Sequence, residues 1–200
     1  MASVRATARW ASIQRKISNS RKLNQRLEAV AKRKFDKIKN RLINNFDNHP
    51  VTQELVGGSS ASNITDSLGG YGNLFSFIGF PEGSSPTSEV RALLETSVKL
   101  KVNKKNKREK NSIEKEISIT IPTAKDFSTI GRMPYEGGNS WIEMIERGIS
   151  SFNNYMHKKT SASRSGAGIQ IKGKIRTESS KPTRYMTELL DKFKKELRSR

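Results

Sequence analysis

The sequence contains no cysteine. This absence excludes disulfides, thiolate nucleophiles and cysteine-ligated zinc or iron–sulfur sites. Histidine is nearly absent too, since only His49 and His157 occur. Both stand beside turn or loop residues, and neither has a Cys, Asp or Glu partner at the spacing of a metal-binding motif. We therefore expect no metal site and no cofactor.

Apolar residues are also scarce, because they make up 33% of the chain and the mean hydropathy is -0.71. No run approaches the roughly 18 consecutive apolar residues of a membrane span. The first residues lack the apolar segment of a signal peptide. These features predict a soluble protein of intracellular origin without a membrane partner. They also indicate that part of the chain either stays mobile or is buried against partners.

Motifs that carry catalysis are missing as well. Neither GYG nor GAG matches G-x-G-x-x-G, and GRMPYEGG does not match the Walker A loop, so no phosphate-binding loop is predicted. Glu143 and Glu146 lie three residues apart, as an acid/base pair could, but helix capping and solvation explain them better. We expect a protein that is not an enzyme.

What the sequence has in excess is positive charge, with 38 Lys and Arg against 19 Asp and Glu and a net charge of +19. The excess lies at both ends and in one internal segment: residues 1–45 carry +11, residues 99–110 carry +6 and residues 157–200 carry +9. The intervening segments, 46–98 and 111–156, carry −5 and −2. This distribution predicts contact with a polyanion, which leaves nucleic acid, an acidic protein surface and anionic lipid as candidates.

A long basic amphipathic helix is predicted over residues 21–46. Its apolar residues recur at steps of three and four, with Lys and Arg between them. They are Leu23, Leu27, Val30, Ala31, Phe35, Ile38, Leu42 and Phe46. The helix should stop at His49-Pro50, because proline forces the preceding residue out of the α region. Residues 1–20 have weaker periodicity and are predicted to form a basic N-terminal arm that orders on contact.

Shorter helices are predicted elsewhere in the chain. Pro50 and the Ser85-Pro86 pair each mark a helix start, and the pattern of residues 183–198 is that of an amphipathic terminal helix. Thr123 with Asp126 has the form of a capping box that opens a short turn before Gly131.

Two alternating segments predict an antiparallel hairpin. Apolar and polar residues alternate over 98–102 and again over 117–121. The segment 103–111, NKKNKREKN, should form a long basic tip that is either solvated or docked on anions. A third strand is predicted at 169–175.

These elements together predict an α+β fold, in which a small antiparallel sheet packs with several helices and the long basic N-terminal helix is accompanied by extended arms and loops. The expected organisation is the arm at residues 1–20 followed by one domain at residues 21–200. The domain carries a glycine- and serine-rich loop or linker at 57–73 and the basic hairpin tip at 103–111.

The stretch GRMPYEGGNSWIEMIERGI, residues 131–149, combines turn residues with a helix start. Ser140 followed by Glu143 has the form of a capping box, and apolar residues continue at helical spacing to Met156. Gly148 would then lie inside the helix, at a cost of about 1 kcal/mol relative to alanine. The stretch is predicted to be a structural joint and not an active site.

The order of these motifs resembles that of the neck and tail-completion proteins of tailed bacteriophages. The resemblance covers most of residues 33–197. It is carried by the basic helix with its His-Pro turn and by FSFIGFPEG, MPYEGGNSWIEMIERGISSF, SRSGAGIQIK and RYMTELLDKFKKEL. It implies a structural virion protein, compact and α+β with extended arms. Such a protein forms a homo-oligomeric ring between the portal or adaptor and the tail tube or tail terminator, around the DNA path.

Two sets of candidate contact residues follow. Phe75, Phe77, Phe80 and Trp141 are candidate anchors of the subunit interface, because aromatic residues concentrate at interface centres. Core packing is the alternative for the apolar segment around Phe75 to Phe80.

The basic tip supplies the second set, which consists of Lys104, Lys105, Lys107 and Arg108. These residues are candidates for contact with DNA or with an acidic partner. The competing functional class is a nucleic-acid-binding accessory protein. Its binding would be non-specific, because the chain has no motif that recognises a particular base sequence.

Overall fold

The computed structural model describes Ile17 and residues 20–68, 72–108, 113–134, 140–148 and 183–198, with the backbone alone described at 104–108 and 113–115. Within these ranges the chain forms seven α-helices and one two-stranded antiparallel sheet, so the α+β class is confirmed. In chain order the elements are α1 (Arg21–Asp47), α2 (Pro50–Val56), a 3-10 turn (Gly58–Ser60), α3 (Leu74–Ile78), α4 (Pro86–Ser97), β1 (Lys99–Arg108), β2 (Ile113–Thr120), α5 (Ala124–Ile130), α6 (Trp141–Arg147) and α7 (Met186–Arg198).

The chain divides into two compact units. We call residues 1–40 and 98–121 the basic unit, and residues 41–97 and 122–200 the core unit. The sequence places 20 Lys and Arg against 5 Asp and Glu in the basic unit, a net charge of +15, and this leaves +4 for the core unit. The arm at 1–20, of which only Ile17 and Ser20 are described, and the single domain at 21–200 stay predictions.

The long N-terminal helix is confirmed as α1, and its apolar side is largely as predicted. Phe35 and Ile38 are buried in the basic unit, and Leu42 and Phe46 are buried in the core unit. The exception is Val30, which is 64% exposed. Val30 and Ile38 are eight residues apart, so the two side chains point about 80° apart around the helix, and Val30 falls at the edge of the apolar side.

The His-Pro turn ends α1 and starts α2. The Nδ1 atom of His49 accepts a hydrogen bond from the backbone N–H of Val51 at 3.2 Å, and Pro50 occupies the first helical position. A second local start signal is confirmed at α5, where the backbone N–H and the hydroxyl of Thr123 each donate to Asp126 at 2.7 Å. The bond from the Thr123 backbone holds the pKa of Asp126 below its ordinary value.

The hairpin is confirmed, but its strands are longer than predicted. Lys104, Lys105, Lys107 and Arg108 lie in β1 and not in a tip loop, and β2 begins at Ile113. The register of the pairing shifts between Val102 and Asn106, where β1 contains two more residues than the facing part of β2. Beyond this irregularity the strands pair again, from Asn106 opposite Lys115 to Arg108 opposite Ile113. The prediction missed this extension because ladder hydrogen bonds are made by backbone groups, which a run of lysines does not prevent.

The joint at residues 131–149 starts a helix as predicted, but that helix is shorter and lacks the capping box. The Ser140 side chain makes no capping hydrogen bond, and Glu143 instead forms an ion pair with Arg147 one turn later. The helix α6 ends at Arg147 because Gly148 has φ 99° and ψ 155°, a backbone conformation that is essentially restricted to glycine. The residues from 149 to Met156, over which the helix was predicted to continue, and the third strand predicted at 169–175 lie outside the described residues.

Gly131 allows the beginning of the joint to pack closely against the start of α6. Its carbonyl oxygen accepts a hydrogen bond from the backbone N–H of Trp141 at 2.7 Å, and Arg132 pairs with Ser140 in an isolated antiparallel bridge. A Cβ atom at Gly131 would lie 2.7 Å from Cδ1 of Ile142 and 3.0 Å from the hydroxyl oxygen of Ser140. The glycine therefore lets the chain return against the start of α6.

Candidate functional site

The four aromatic residues predicted as interface anchors lie in the core unit. Phe75 is 2% exposed and Trp141 is 1% exposed within the chain itself. Neither side chain can present its ring to a partner, so the assignment of these two to an interface is wrong and core packing holds for them. Phe77 and Phe80 are only partly buried, and their place in an interface stays a prediction.

An aromatic cluster explains why Phe75 and Trp141 are buried. Phe80 joins them, with its ring centroid 5.5 Å from that of Phe75 and 6.0 Å from that of Trp141 in an edge-to-face arrangement. Tyr185 extends the cluster, at 6.4 Å from Trp141 and 6.1 Å from Phe46. Pairs in this distance range are favourable beyond their area of burial. The cluster thus connects α1, α3 and α6 through Phe46, Phe75 and Trp141. Phe80, two residues after the end of α3, and Tyr185, directly before α7, complete it.

The hydroxyl of Tyr185 is buried beside a second hydroxyl group. It lies 2.6 Å from the hydroxyl of Thr52 on α2, and either group could be the donor. Burial raises the pKa of Tyr185 far above its ordinary value, so the phenol is neutral across the physiological range. The pair satisfies two polar groups in the core and is suited to structure and not to acid/base chemistry.

A buried carboxylate organises the glycine- and serine-rich loop. Glu54 on α2 is fully buried, and its Oε1 accepts from the backbone N–H of Leu74 at 2.6 Å while its Oε2 accepts from that of Thr65 at 2.9 Å. Asn73 accepts from the Ser76 N–H and so caps α3, and its amide nitrogen donates to the carbonyl oxygens of Ser59 and Ala61. The described parts of residues 57–73 are therefore pinned to α2 and α3, and the linker interpretation of this segment is wrong.

One local signal in the sequence indicates part of this arrangement. Asn73 directly before an apolar run is a preferred helix N-cap. Glu54 gave none, because a glutamate within a short helix normally faces solvent, and its partners stand 11 and 20 residues further along the chain.

The second candidate set lies in the basic unit. The backbone of Lys104, Lys105, Lys107 and Arg108 belongs to β1, and their contacts with DNA or an acidic partner stay predictions. The described base of the hairpin has two distinct faces. One face carries Lys99 and Lys101 on β1 opposite Thr120 and Ser118 on β2, and all four are exposed.

The other face of the hairpin base is apolar. Leu100 pairs with Ile119 and Val102 pairs with Ile117. Three of these four are only partly buried, and Ile117 is 40% exposed. The chain by itself thus leaves this apolar face incompletely covered.

Two further features concern the described residues alone. No group of three His, Cys, Asp or Glu side chains among them is arranged to hold a metal ion. None of the described helices combines the length and the apolarity needed to cross a membrane.

Comparison with known proteins adds no assignment. No protein-family model matches the chain, and neither the curated proteins nor the solved structures returned a match.

Proposed function

We propose that this chain is a structural, non-enzymatic subunit of a tailed-bacteriophage neck. In this role it assembles with copies of itself into a ring that joins the portal or adaptor to the tail tube or tail terminator around the DNA path. The protein would accordingly be located in the virion. The resemblance of most of residues 33–197 to neck and tail-completion proteins is the starting point of the proposal.

One structural observation carries the proposal further, namely the incompletely covered apolar face of the hairpin. A two-stranded hairpin is at best marginally stable in water and needs packing against other structure. Subunits of a closed ring contact two neighbours through heterologous surfaces that close by rotation. A neighbouring copy seated on Leu100, Val102, Ile117 and Ile119 would complete the burial that one chain leaves unfinished.

The oligomeric state of the purified chain tests the proposal. Native mass spectrometry and negative-stain electron microscopy are expected to show one closed-ring species. Ile117→Glu puts a charge on the apolar face and should shift the population to monomers. Ser118→Glu makes the same net-charge change on the exposed polar face of the same strand and should leave the ring intact, with far-UV circular dichroism checking that both variants are folded.

Two results would contradict the proposal. One is a parent chain that stays monomeric at every concentration in both measurements. The other is an equal effect of Ile117→Glu and Ser118→Glu, which would mean that added negative charge and not the apolar face controls assembly.

A non-specific nucleic-acid-binding accessory protein is the second candidate. The net charge of +15 on the 64 residues of the basic unit favours it. Salt-sensitive binding to arbitrary duplex by a monomer that forms no ring would support this function. Stoichiometric ring assembly with weak DNA affinity per subunit would support the neck.

A further inference from the structure

A row of positive charges runs along the exposed side of α1 within the basic unit. Residues at steps of three and four lie on one side of a helix, and such a series starts at residue 22. Its members are Lys22, Arg26, Ala29, Arg33, Lys37 and Asn40, all of them exposed. We call the four cations Lys22, Arg26, Arg33 and Lys37 the cationic stripe.

No carboxylate of the described residues forms an ion pair with the cationic stripe. In the described ranges of the chain, none of its four residues forms an ion pair, although Asp36 follows Arg33 by only three positions. The core unit differs, because there Arg91 pairs with Asp47 at 3.0 Å and Arg184 with Asp191 at 3.4 Å.

Like charges four residues apart destabilise a helix, and the stripe contains two such pairs, Lys22 with Arg26 and Arg33 with Lys37. An external polyanion would remove this repulsion. Binding of a polyanion to the stripe should therefore stabilise α1.

The dimensions of the stripe point to a nucleic-acid backbone. From Lys22 to Lys37 the helix rises 15 residues, which is about 22 Å at 1.5 Å per residue. One strand of duplex DNA carries a phosphate about every 3.4 Å along the axis, but the strand winds around that axis, so a straight row of cations cannot follow its successive phosphates. The stripe is long enough for each of its four cations to contact a different phosphate of the duplex.

A lipid surface fits the stripe less well. Helices that lie on membranes insert their own apolar side between the lipids. On α1 that side includes Phe35 and Ile38, which are already buried in the protein. A membrane would be left with charge contacts alone.

We propose that the cationic stripe binds the phosphate backbone of duplex DNA without regard to base sequence. The choice of DNA as the polyanion rests on the proposed function, in which the ring surrounds the DNA path. Phosphate contacts position a protein on the duplex but carry no sequence information. The stripe is separate from the hairpin residues 104–108 and supplies contacts in addition to any that those residues make.

The salt dependence of DNA binding tests this inference directly. Fluorescence anisotropy with a duplex of arbitrary sequence gives the observed association constant between 50 and 200 mM salt. Each phosphate neutralised contributes about 0.9 to the slope of log K against log salt, so the variant K22Q/R26Q/R33Q/K37Q should have a slope shallower by about 3.6. The parent should then lose about 150-fold more affinity over this salt range than the variant does.

Two matched variants separate the position of the charges from their number. R91Q/R147Q/R184Q/K194Q also removes four positive charges, but from ion-paired residues of the core unit, and should keep the parent slope. K22R/R26K/R33K/K37R keeps every charge of the stripe and should keep the slope as well. Glutamine has nearly the helix propensity of lysine and arginine, so α1 should remain folded, which circular dichroism checks.

Several outcomes would overturn the inference. Equal slopes for the stripe variant and the core-unit variant would mean that net charge alone governs binding. Preferential binding of duplex RNA, or of phosphatidylserine vesicles, through the same four residues would identify a different polyanion.

Ring assembly is measured on the same samples by native mass spectrometry, so the two proposals fail separately. A ring whose DNA slope does not depend on the stripe overturns this inference alone. A stripe-dependent slope in a chain that never forms a ring overturns the neck function and leaves the stripe as a DNA-binding surface.

Discussion

The basic unit and the core unit differ in what holds them together. In the described core unit, large side chains such as Trp141, Tyr185 and Phe46 are almost fully buried, and the buried carboxylate of Glu54 accepts two backbone hydrogen bonds. In the described part of the basic unit, only Phe35, Ile38 and Val98 are buried apolar residues. Burial of large side chains stabilises the core unit, whereas the described part of the basic unit buries few apolar side chains.

Charge follows the same division. The basic unit carries +15 on 64 residues, and the core unit carries +4 on 136 residues. Concentrated charge of one sign destabilises a compact state through self-repulsion, and salt or a polyanion relieves it. We therefore expect salt to change the stability of the basic unit more than that of the core unit.

The sharpest contrast is expected from truncating one buried and one exposed side chain. Trp141→Ala in the core unit should lower the free energy of unfolding by about 3–5 kcal/mol, because it empties the centre of the aromatic cluster. Val30→Ala in the basic unit, where the side chain is 64% exposed, should change it by less than about 0.5 kcal/mol. Urea denaturation measures both.

Comparable losses for Trp141→Ala and Val30→Ala would break the comparison between the units. Such a result would mean that Val30 is covered in solution by another chain. Repeating the measurement at several protein concentrations identifies that case, because a stability that depends on assembly rises with concentration.

A smaller effect is expected at the buried carboxylate. Glu54→Gln replaces one acceptor oxygen by an NH₂ group that faces a backbone N–H, either that of Leu74 or that of Thr65. The unsatisfied donor should lower the free energy of unfolding by about 1–3 kcal/mol. Hydrogen exchange should show faster exchange at both amides, while Glu82→Gln, an exposed residue of the same unit, changes neither quantity.

Unaltered exchange at Thr65 and Leu74 in Glu54→Gln would contradict the pinned loop. It would return residues 57–73 to the flexible linker that their composition indicates.

Local chemistry made part of this fold predictable from the sequence. The prolines at positions 50 and 86 and the Thr123–Asp126 pair act within one helical turn, so the starts of α2, α4 and α5 could be read directly. The spacing of apolar residues predicted α1, and the alternation of apolar and polar residues predicted the paired bases of β1 and β2, because both patterns also lie within short stretches of sequence.

The sequence did not decide contacts between distant segments. Apolar spacing cannot say whether Phe75 and Trp141 face a core or a partner, and here Phe80 and Tyr185 cover them. At Ser140 two local signals competed, and the ion pair between Glu143 and Arg147 replaced the capping box. The spacing in the sequence already contained the cationic stripe, but only the structure shows that its four residues form no ion pair within the described part of the chain.

The smallest expected effect concerns pH and the turn between α1 and α2. His49 is half-buried against the ring of Tyr185, with centroids 4.7 Å apart, and its Nδ1 accepts from the Val51 N–H. Burial lowers the pKa of His49 from its ordinary value of 6.5, and the nearby carboxylates of Glu188 and Glu146 only partly oppose this. The folded state therefore favours the neutral ring with its proton on Nε2.

Because the unfolded chain takes up this proton at a higher pH than the folded chain, the contribution of His49 is fully present above about pH 6.5 and is lost as the pH falls toward the folded pKa. His49→Asn keeps a side-chain acceptor at the helix start but does not titrate. The free energy of unfolding, measured from pH 8 to pH 5, should therefore fall less steeply in this variant than in the parent. Identical profiles would show that His49 has the same pKa in the folded and the unfolded chain, so that its burial beside Tyr185 does not favour the neutral ring.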